Sequence, residues 1–276
     1  MIKSNVTRRS IVGGLAAGLG IAAAGSNDLI GAARAQSARK TFVVIPGAFN
    51  GGWVWHRVSD QLEKKGHKVL ALTLTGLGER SHLLSKDINL DTHITDIVNV
   101  IKWERLEDFC LVAHSYGGFP ASGALEQVGG SASSIVWLDA LKPENGQNSI
   151  DLLPAPNRER IMNLVDKGEI AFPLLAGLPP PTTVNEKDAP FLRAENTNTP
   201  HPIGTWVQPI KLSGAREMVA KKTYVRVPKY PSPGLDKAFA ECKADNSWKT
   251  VEFTDSGHMA MLDAPERVAD LLLQAA

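Results

Sequence analysis

Cysteine is scarce in this chain, with two residues, Cys110 and Cys242, among 276. Cys110 lies in the apolar run Phe109-Cys110-Leu111-Val112 and Cys242 in a later helical pattern. A cysteine in a buried strand is most often a small core hydrophobe, so no disulfide is expected. Neither residue has a His or a second Cys at ligand spacing beside it, which argues against a metal site. Charge of one sign is lacking too. Thirty Lys and Arg against 29 Asp and Glu leave a formal net charge of +1, so the clustered basic field of a nucleic-acid binder is missing. There is no charge run and no internal repeat, which argues against a binding tail or a solenoid. What remains is ordinary: 43% hydrophobic and 21% charged residues, in a chain long enough for one domain with a full core.

The first 35 residues differ from the rest. Thr7-Arg8-Arg9-Ser10-Ile11 presents an arginine pair, followed by an uncharged, mildly apolar run from Val12 to Gly25. Ala33-Arg34-Ala35 then supplies a small-residue cleavage signal before Gln36. The run is rich in Gly and Ala and shorter than the roughly 20 apolar residues of a spanning helix. A twin-arginine signal peptide over 1–35, with export to the periplasm or beyond, is the expectation. The domain proper is then 36–276.

From Thr41 onward, short β-branched runs alternate with amphipathic helices, the pattern of a parallel sheet covered on both faces. Strands are expected at Thr41–Ile45, Lys68–Leu74, Phe109–His114, Ser134–Leu138, Thr223–Val227 and Thr250–Thr254. Helices are expected around Trp55–Lys65, Thr92–Trp103, from Ser115 to about Val128, Leu235–Ala244 and Ala264–Gln274. Asp263-Ala264-Pro265-Glu266 suits the last helix start, with a capping oxygen, an early Pro and an acidic N3. Between about 141 and 220 the alternation fails, and Leu178-Pro179-Pro180-Pro181 interrupts short helical pieces. So long a segment inside one domain is usually functional. It reads as a helical cap over the C-terminal sheet edge, where open α/β folds bind their ligands.

Ala113-His114-Ser115-Tyr116-Gly117-Gly118 follows a buried strand and opens a helix, the setting of a nucleophile elbow. A sharp strand-to-helix turn projects the serine oxygen, small neighbours let the chain bend, and the helix N-terminus favours developing negative charge. The bland alternative is a serine that merely caps a helix. A serine nucleophile needs a base. His258, in Ser256-Gly257-His258-Met259-Ala260-Met261, follows the last strand in the expected chain order. His56 and His67 fall on or beside a helix, His93 opens one, and His82 and His201 sit in loops; each reads as a surface or packing residue. His114 is expected to leave the elbow in another direction. An oxyanion hole takes one amide from the residue after the nucleophile, here Tyr116, and a second from the turn after the first strand. That turn, Pro46-Gly47-Ala48-Phe49-Asn50-Gly51-Gly52-Trp53, lacks the Lys and Ser/Thr of a phosphate-binding loop and the glycine spacing of a dinucleotide site.

Phe42-Val43-Val44-Ile45-Pro46-Gly47-Ala48-Phe49-Asn50-Gly51-Gly52-Trp53, His114-Ser115-Tyr116-Gly117-Gly118 and Gly257-His258-Met259-Ala260-Met261-Leu262 closely resemble the plant methylesterase and hydroxynitrile-lyase branch of the α/β-hydrolases. Bacterial esterases and carbamate hydrolases of that branch are also similar. The likeness covers most of 41–274 and is weakest in the cap. It implies an α/β-hydrolase fold, with Ala48 and Tyr116 supplying the oxyanion amides. Lyases of this branch carry Lys after the catalytic histidine and Thr at the position of Gly47. Here Met259 follows His258, which favours ester hydrolysis. The chain departs from its relatives at Pro46 and Asn50, where His is usual or common.

The triad acid of this branch normally follows the penultimate strand. There the chain reads Val227-Pro228-Lys229-Tyr230-Pro231-Ser232-Pro233-Gly234, with Tyr230 where Asp is expected. Asp236 comes later and resembles the first turn of a helix. Asp139 ends the strand after the nucleophile helix, a position from which some lipases of the superfamily take their acid. Asp139 is the expected acid, with a turn cap as the bland alternative. Asp139, Asp236 and a dyad without an acid remain open. The resulting expectation is a serine carboxylesterase acting through an acyl-enzyme on small or aryl esters, or carbamates. Its pocket would be lined by Phe49, Tyr116, Trp206 and Met259, while Trp53 and Trp55 pack in the core. It would use no metal and no organic cofactor. The expected partner is a small-molecule ester, with no nucleic acid and no membrane anchor after processing. The oligomeric state stays open, a homodimer included. The rivals are a hydroxynitrile lyase or cofactor-free oxygenase on the same residues, and a non-catalytic ligand-binding protein.

Overall fold

The computed structural model describes residues 38–173, 183–189 and 198–276. The expected signal peptide and the Leu178–Pro181 stretch lie outside them. Eight strands are described: β1 (Thr41–Ile45), β2 (Lys68–Ala71), β3 (Phe109–His114), β4 (Ala132–Leu138), β5 (Ala171–Phe172), β6 (His201–Pro202), β7 (Lys221–Arg226) and β8 (Trp248–Glu252). Six of them form one parallel sheet in the order β2-β1-β3-β4-β7-β8. The sequence dictates burial on both faces. In β1 and β3 successive apolar residues point to opposite sides, so Val43, Ile45, Leu111 and Ala113 enter one cluster and Phe42, Val44, Cys110 and Val112 the other. Sheets of this kind need helices on both faces.

Six longer helices supply that cover: α1 (His56–Lys64), α2 (Leu90–Trp103), α3 (Gly118–Val128), α4 (Ala155–Asp166), α5 (Pro233–Ala244) and α6 (Pro265–Ala275). Val58 and Leu62 of α1 pack with Val268 and Leu272 of α6 on one face. The other face receives Ile94, Ile97 and Ile101 of α2, Ala121, Ala124 and Leu125 of α3, and Leu235 and Cys242 of α5. The α2 start has a full capping box, with Asn89 and Thr92 exchanging side-chain and backbone bonds.

Three expectations change. β2 ends at Ala71 instead of Leu74 because the edge chain turns away: Leu72 N–H still bonds Val44 O, but Thr73 uses its hydroxyl to accept Gly52 N–H at 2.7 Å. The last helix is preceded by Ala264 as its cap residue, with no side-chain cap. Asp263 instead accepts Gly257 N–H at 2.7 Å and Asn185 N–H at 2.8 Å, a tertiary use of the carboxylate that outcompetes the local one. The cap is also not purely helical, since β5 and β6 pair antiparallel within it beside α4 and short turns at Gly204–Val207 and Ala215–Met218.

Strand order determines where a ligand can sit. The chain leaves β1 toward β2 on one side, and β3 returns on the other side of β1. The loops after β1 and β3 therefore diverge and open a crevice at their carboxyl ends, the usual binding place of such sheets. Pro46–Gly52 and Ser115 stand at that point.

Candidate active site

β3 delivers a fully buried strand directly into Ser115. Ser115 has φ +52°, a left-handed value that a non-glycine residue adopts only when its surroundings hold it. Close backbone packing explains the small residues around it. A Cβ on Gly117 would lie 2.6 Å from Pro46 O, one on Gly118 2.0 Å from Leu141 O, and one on Gly47 2.9 Å from Ser115 Cβ. Leu141 N–H donates to Ser115 O at 2.9 Å, which ties the chain after β4 to the elbow. Ser115 itself is half-buried.

His258 lies in the loop between β8 and α6 and is nearly buried. Its Nδ1 is 2.6 Å from Asp139 Oδ2. A carboxylate accepts, so Nδ1 carries the proton and Nε2 is left as the basic nitrogen. Asp139 has no solvent exposure and a φ of +45°. Its other oxygen accepts Val227 N–H at 3.0 Å and Arg226 Nη1 at 2.7 Å. Of the two candidate acids, Asp139 meets the imidazole and Asp236 does not. Asp236 is exposed and bonds the far side of Arg226, at 2.9 Å from Nε and 2.7 Å from Nη2. Val227 O and Tyr230 O accept the remaining guanidinium hydrogens, at 2.6 and 2.7 Å, so all five donors are engaged. Burial works against the charge on Arg226, but Asp139 and Asp236 outweigh it and hold its pKa above the ordinary value.

Tyr230, at the position where relatives would carry the acid, lies flat on the His258 ring, with centroids 4.1 Å apart and planes 16° apart. The His114 ring stands 4.5 Å from that of His258, tilted by 45°. His114 Nε2 donates to His258 O at 3.0 Å, so this residue supports the His258 loop through its main chain. Gly257 N–H on Asp263 and Met259 N–H on Thr183 O complete the clamp on that loop.

The structure brings Phe49, Tyr116 and Trp206 together. Tyr116 stacks on Trp206 at 5.3 Å, while Phe172 stands edge-on to both Phe49 and Trp206 at 5.3 Å. Met259 is not part of this wall. It packs with the apolar cluster on the opposite sheet face, as Trp55 does, and Trp53 packs against that cluster. Phe172 and His201, both from the cap, are additions that no local motif announced. Arg226 and Tyr230 were equally silent as site residues. Burial drives the electrostatics here. It lowers the pKa of His93 to about 4, holds those of His114 and His201 well below the usual range, and raises that of the Tyr116 phenol. Both cysteines are buried and unpaired, with thiols pushed up to about 12 by burial.

These parts, a strained serine at a strand-to-helix turn, an acid-tethered imidazole and an aromatic wall, are those of nucleophilic acyl transfer. The alpha/beta hydrolase family profile matches residues 42–271. The chain is 32% identical over 238 residues to a carbendazim hydrolyzing esterase from Nocardioides sp. (strain SG-4G), covering 84% of this chain and 97% of that protein. It is 25% identical over 254 residues to salicylic acid-binding protein 2 of Nicotiana tabacum, covering 86% and 97%. Among solved structures, an extracellular alpha/beta-hydrolase from a Paenibacillus species superposes with a TM-score of 0.75 at 23% identity, covering 86% of this chain and 99% of that one. The fold is thus that of the α/β-hydrolases.

Two measurements follow from the geometry. Arg226→Met should lower unfolding free energy by about 3–5 kcal/mol, the cost of leaving a buried carboxylate unpaired. Adding Asp139→Asn should recover much of that loss in a denaturant double-mutant cycle. A loss under about 1 kcal/mol would show that the guanidinium is not what holds Asp139. The buried histidines predict acid sensitivity. Unfolded, each titrates near its ordinary value of 6.5, whereas folded His93 does so at about 4 and burial also holds His114 and His201 well below 6.5. As pH falls below about 6.5 the unfolded chain binds protons the folded one refuses. Stability is therefore full above that value and declines toward pH 4, by about 1.4 kcal/mol per pH unit for each histidine. A thermal midpoint that stays level between pH 7 and 5 would contradict this.

Proposed function

The chain belongs to the alpha/beta hydrolase family, and we propose that within it the protein is a serine carboxylesterase working through an acyl-enzyme. The observation that carries this reading is the 2.6 Å bond between His258 Nδ1 and buried Asp139, together with the left-handed turn that sets Ser115 at the end of β3. Ser115 Oγ attacks the ester carbonyl while His258 Nε2 takes its proton, and Asp139 stabilises the imidazolium. The amides of Ala48 and Tyr116 hold the oxyanion. His258 then protonates the leaving alcohol, and water, activated in the same way, releases the acid. The wall of Phe49, Tyr116, Phe172 and Trp206 favours small or aryl esters, or carbamates. Relatives named as a carbendazim hydrolyzing esterase and as methylesterases support cleavage of ester bonds.

A lyase is disfavoured because Met259 follows His258 and turns into the core, leaving no ammonium at that position. A binding-only role, suggested by the name of the tobacco relative, is disfavoured by the left-handed conformations kept at both Ser115 and Asp139.

The purified enzyme should hydrolyse 4-nitrophenyl esters without releasing cyanide or taking up oxygen, and a fluorophosphonate should label it. Ser115→Ala should abolish turnover and labelling. Asp139→Asn should reduce turnover by up to roughly 10⁴. Asp139→Asn near wild type with Asp236→Asn inactive would reverse the assignment of the acid.

Export is a further part of the proposal. It is supported by Arg8-Arg9, the uncharged run after them and Ala33-Arg34-Ala35. In a bacterial host the protein should collect outside the cytoplasm with Gln36 at its N-terminus, and replacement of Arg8 and Arg9 by Lys should retain it inside. Equal export of that variant would remove the support.

A further inference from the structure

We propose that His201, contributed by the cap, is a positioning residue for the oxyanion hole, holding the Phe49 turn so that the neighbouring Ala48 amide faces the reacting carbonyl. This rests on the esterase reading above. Phe49 has φ +68°, a conformation that a bulky residue does not keep unaided. Cap residues grip its main chain at both ends. Phe49 N–H donates to His201 Nδ1 at 3.2 Å, and Phe49 O accepts Thr199 N–H at 2.9 Å. Thr199 is anchored in turn, its hydroxyl accepting Gly78 N–H at 3.0 Å. Within the loop, Asn50 Nδ2 donates to Ala48 O at 2.7 Å. The Ala48–Phe49 peptide plane is thus held by its oxygen and its nitrogen, and only the φ and ψ of Ala48 then separate this anchored plane from the Ala48 N–H.

Hydrogen-bond direction identifies the tautomer. Phe49 offers a hydrogen to Nδ1, so His201 carries its own proton on Nε2, which donates to Thr205 Oγ1 at 3.0 Å. Thr205 passes its hydrogen to Pro202 O at 2.8 Å. A protonated His201 would set two donors against each other at Nδ1, and its complete burial and lowered pKa agree with the neutral form. The same logic applies to the second amide donor. Thr75 O accepts from His93 Nε2 at 2.9 Å, so His93 Nδ1 accepts the Tyr116 hydroxyl at 3.0 Å. The His201 ring stands edge-on to Tyr116 at 4.6 Å. Each oxyanion loop therefore ends in a buried, neutral polar chain, and the two chains meet where the cap's His201 ring stands against Tyr116. Seating the cap and forming the oxyanion hole become a single event.

The test compares His201→Phe, which keeps an aromatic ring but loses the acceptor, with His201→Asn, whose amide oxygen can accept Phe49 N–H. In His201→Phe, kcat for a 4-nitrophenyl ester should fall on the order of 10–10², less than the loss of a whole donor, with KM within about threefold. Affinity for a trifluoromethyl ketone, whose tetrahedral adduct needs the hole, should fall by the same factor as kcat. His201→Asn should recover part of both. Thr205→Val, which frees the His201 ring to turn, should show the same pattern more weakly and serves if His201→Phe does not fold. Wild-type kcat in His201→Phe, or a lower kcat with unchanged ketone affinity, would overturn the proposal. A wild-type enzyme inactive on every ester would sink only the esterase reading. The positioning role is then decided by crystal structures: φ of Phe49 should turn negative in His201→Phe, and a value still near that of the wild type refutes it.

Discussion

A carboxylate sealed from water remains an anion only if its oxygens are occupied, and that demand at Asp139 organises the carboxyl edge of the sheet. Asp139 follows β4 with no exposure at all. One oxygen faces His258; the other takes Arg226 and the Val227 amide. Arg226, itself buried, must then find acceptors for its other hydrogens. It finds them in Asp236 and in the carbonyls of Val227 and Tyr230. Those bonds shape the loop after β7, and the loop lays the Tyr230 ring on the imidazole. The His258 imidazole is thus oriented by a chain of satisfaction that begins with one acid.

Of the five left-handed non-glycine residues among those described, three lie where chemistry is expected, and Arg105 and Asp108 lie in the loop before β3. Phe49, Ser115 and Asp139 are all non-glycine residues with left-handed backbones, and each is held by a different neighbour. The Ser115 carbonyl is bonded by Leu141, Asp139 is bonded through its amide to Val225 O, and Phe49 is gripped by the cap. None of these holds is local in sequence, so each conformation exists only in the assembled domain.

That distinction separates what could be read from the chain beforehand from what could not. Ser115 and His258 stood out because the rules that expose them are local: a buried strand, small neighbours, a following helix. The alternation of strands and helices was legible for the same reason. Arg226 was not, because Lys221-Lys222-Thr223-Tyr224-Val225-Arg226 reads like any strand with basic flanks, and its partner lies across the sheet. Asp263 misled because its capping chemistry is sound in isolation; two backbone donors from distant loops claimed it instead. β2 ran short because an edge strand has a ladder on one side only. Met259 was assigned to the pocket by adjacency to His258, although neighbours in a chain commonly face opposite ways. His201 lay in a stretch whose irregular composition gave no period from which to infer burial.

The register between β4 and β7 carries a consequence for ancestry. Leu138 pairs with Val225 in adjacent parallel strands, so the residues that follow those two strands emerge side by side. A carboxylate can therefore migrate from one strand end to the other in the course of evolution while the imidazole it serves stays put. A survey that demands an acid after β7 would discard this chain as a dead enzyme, because Tyr230 stands in that loop while the buried carboxylate follows β4.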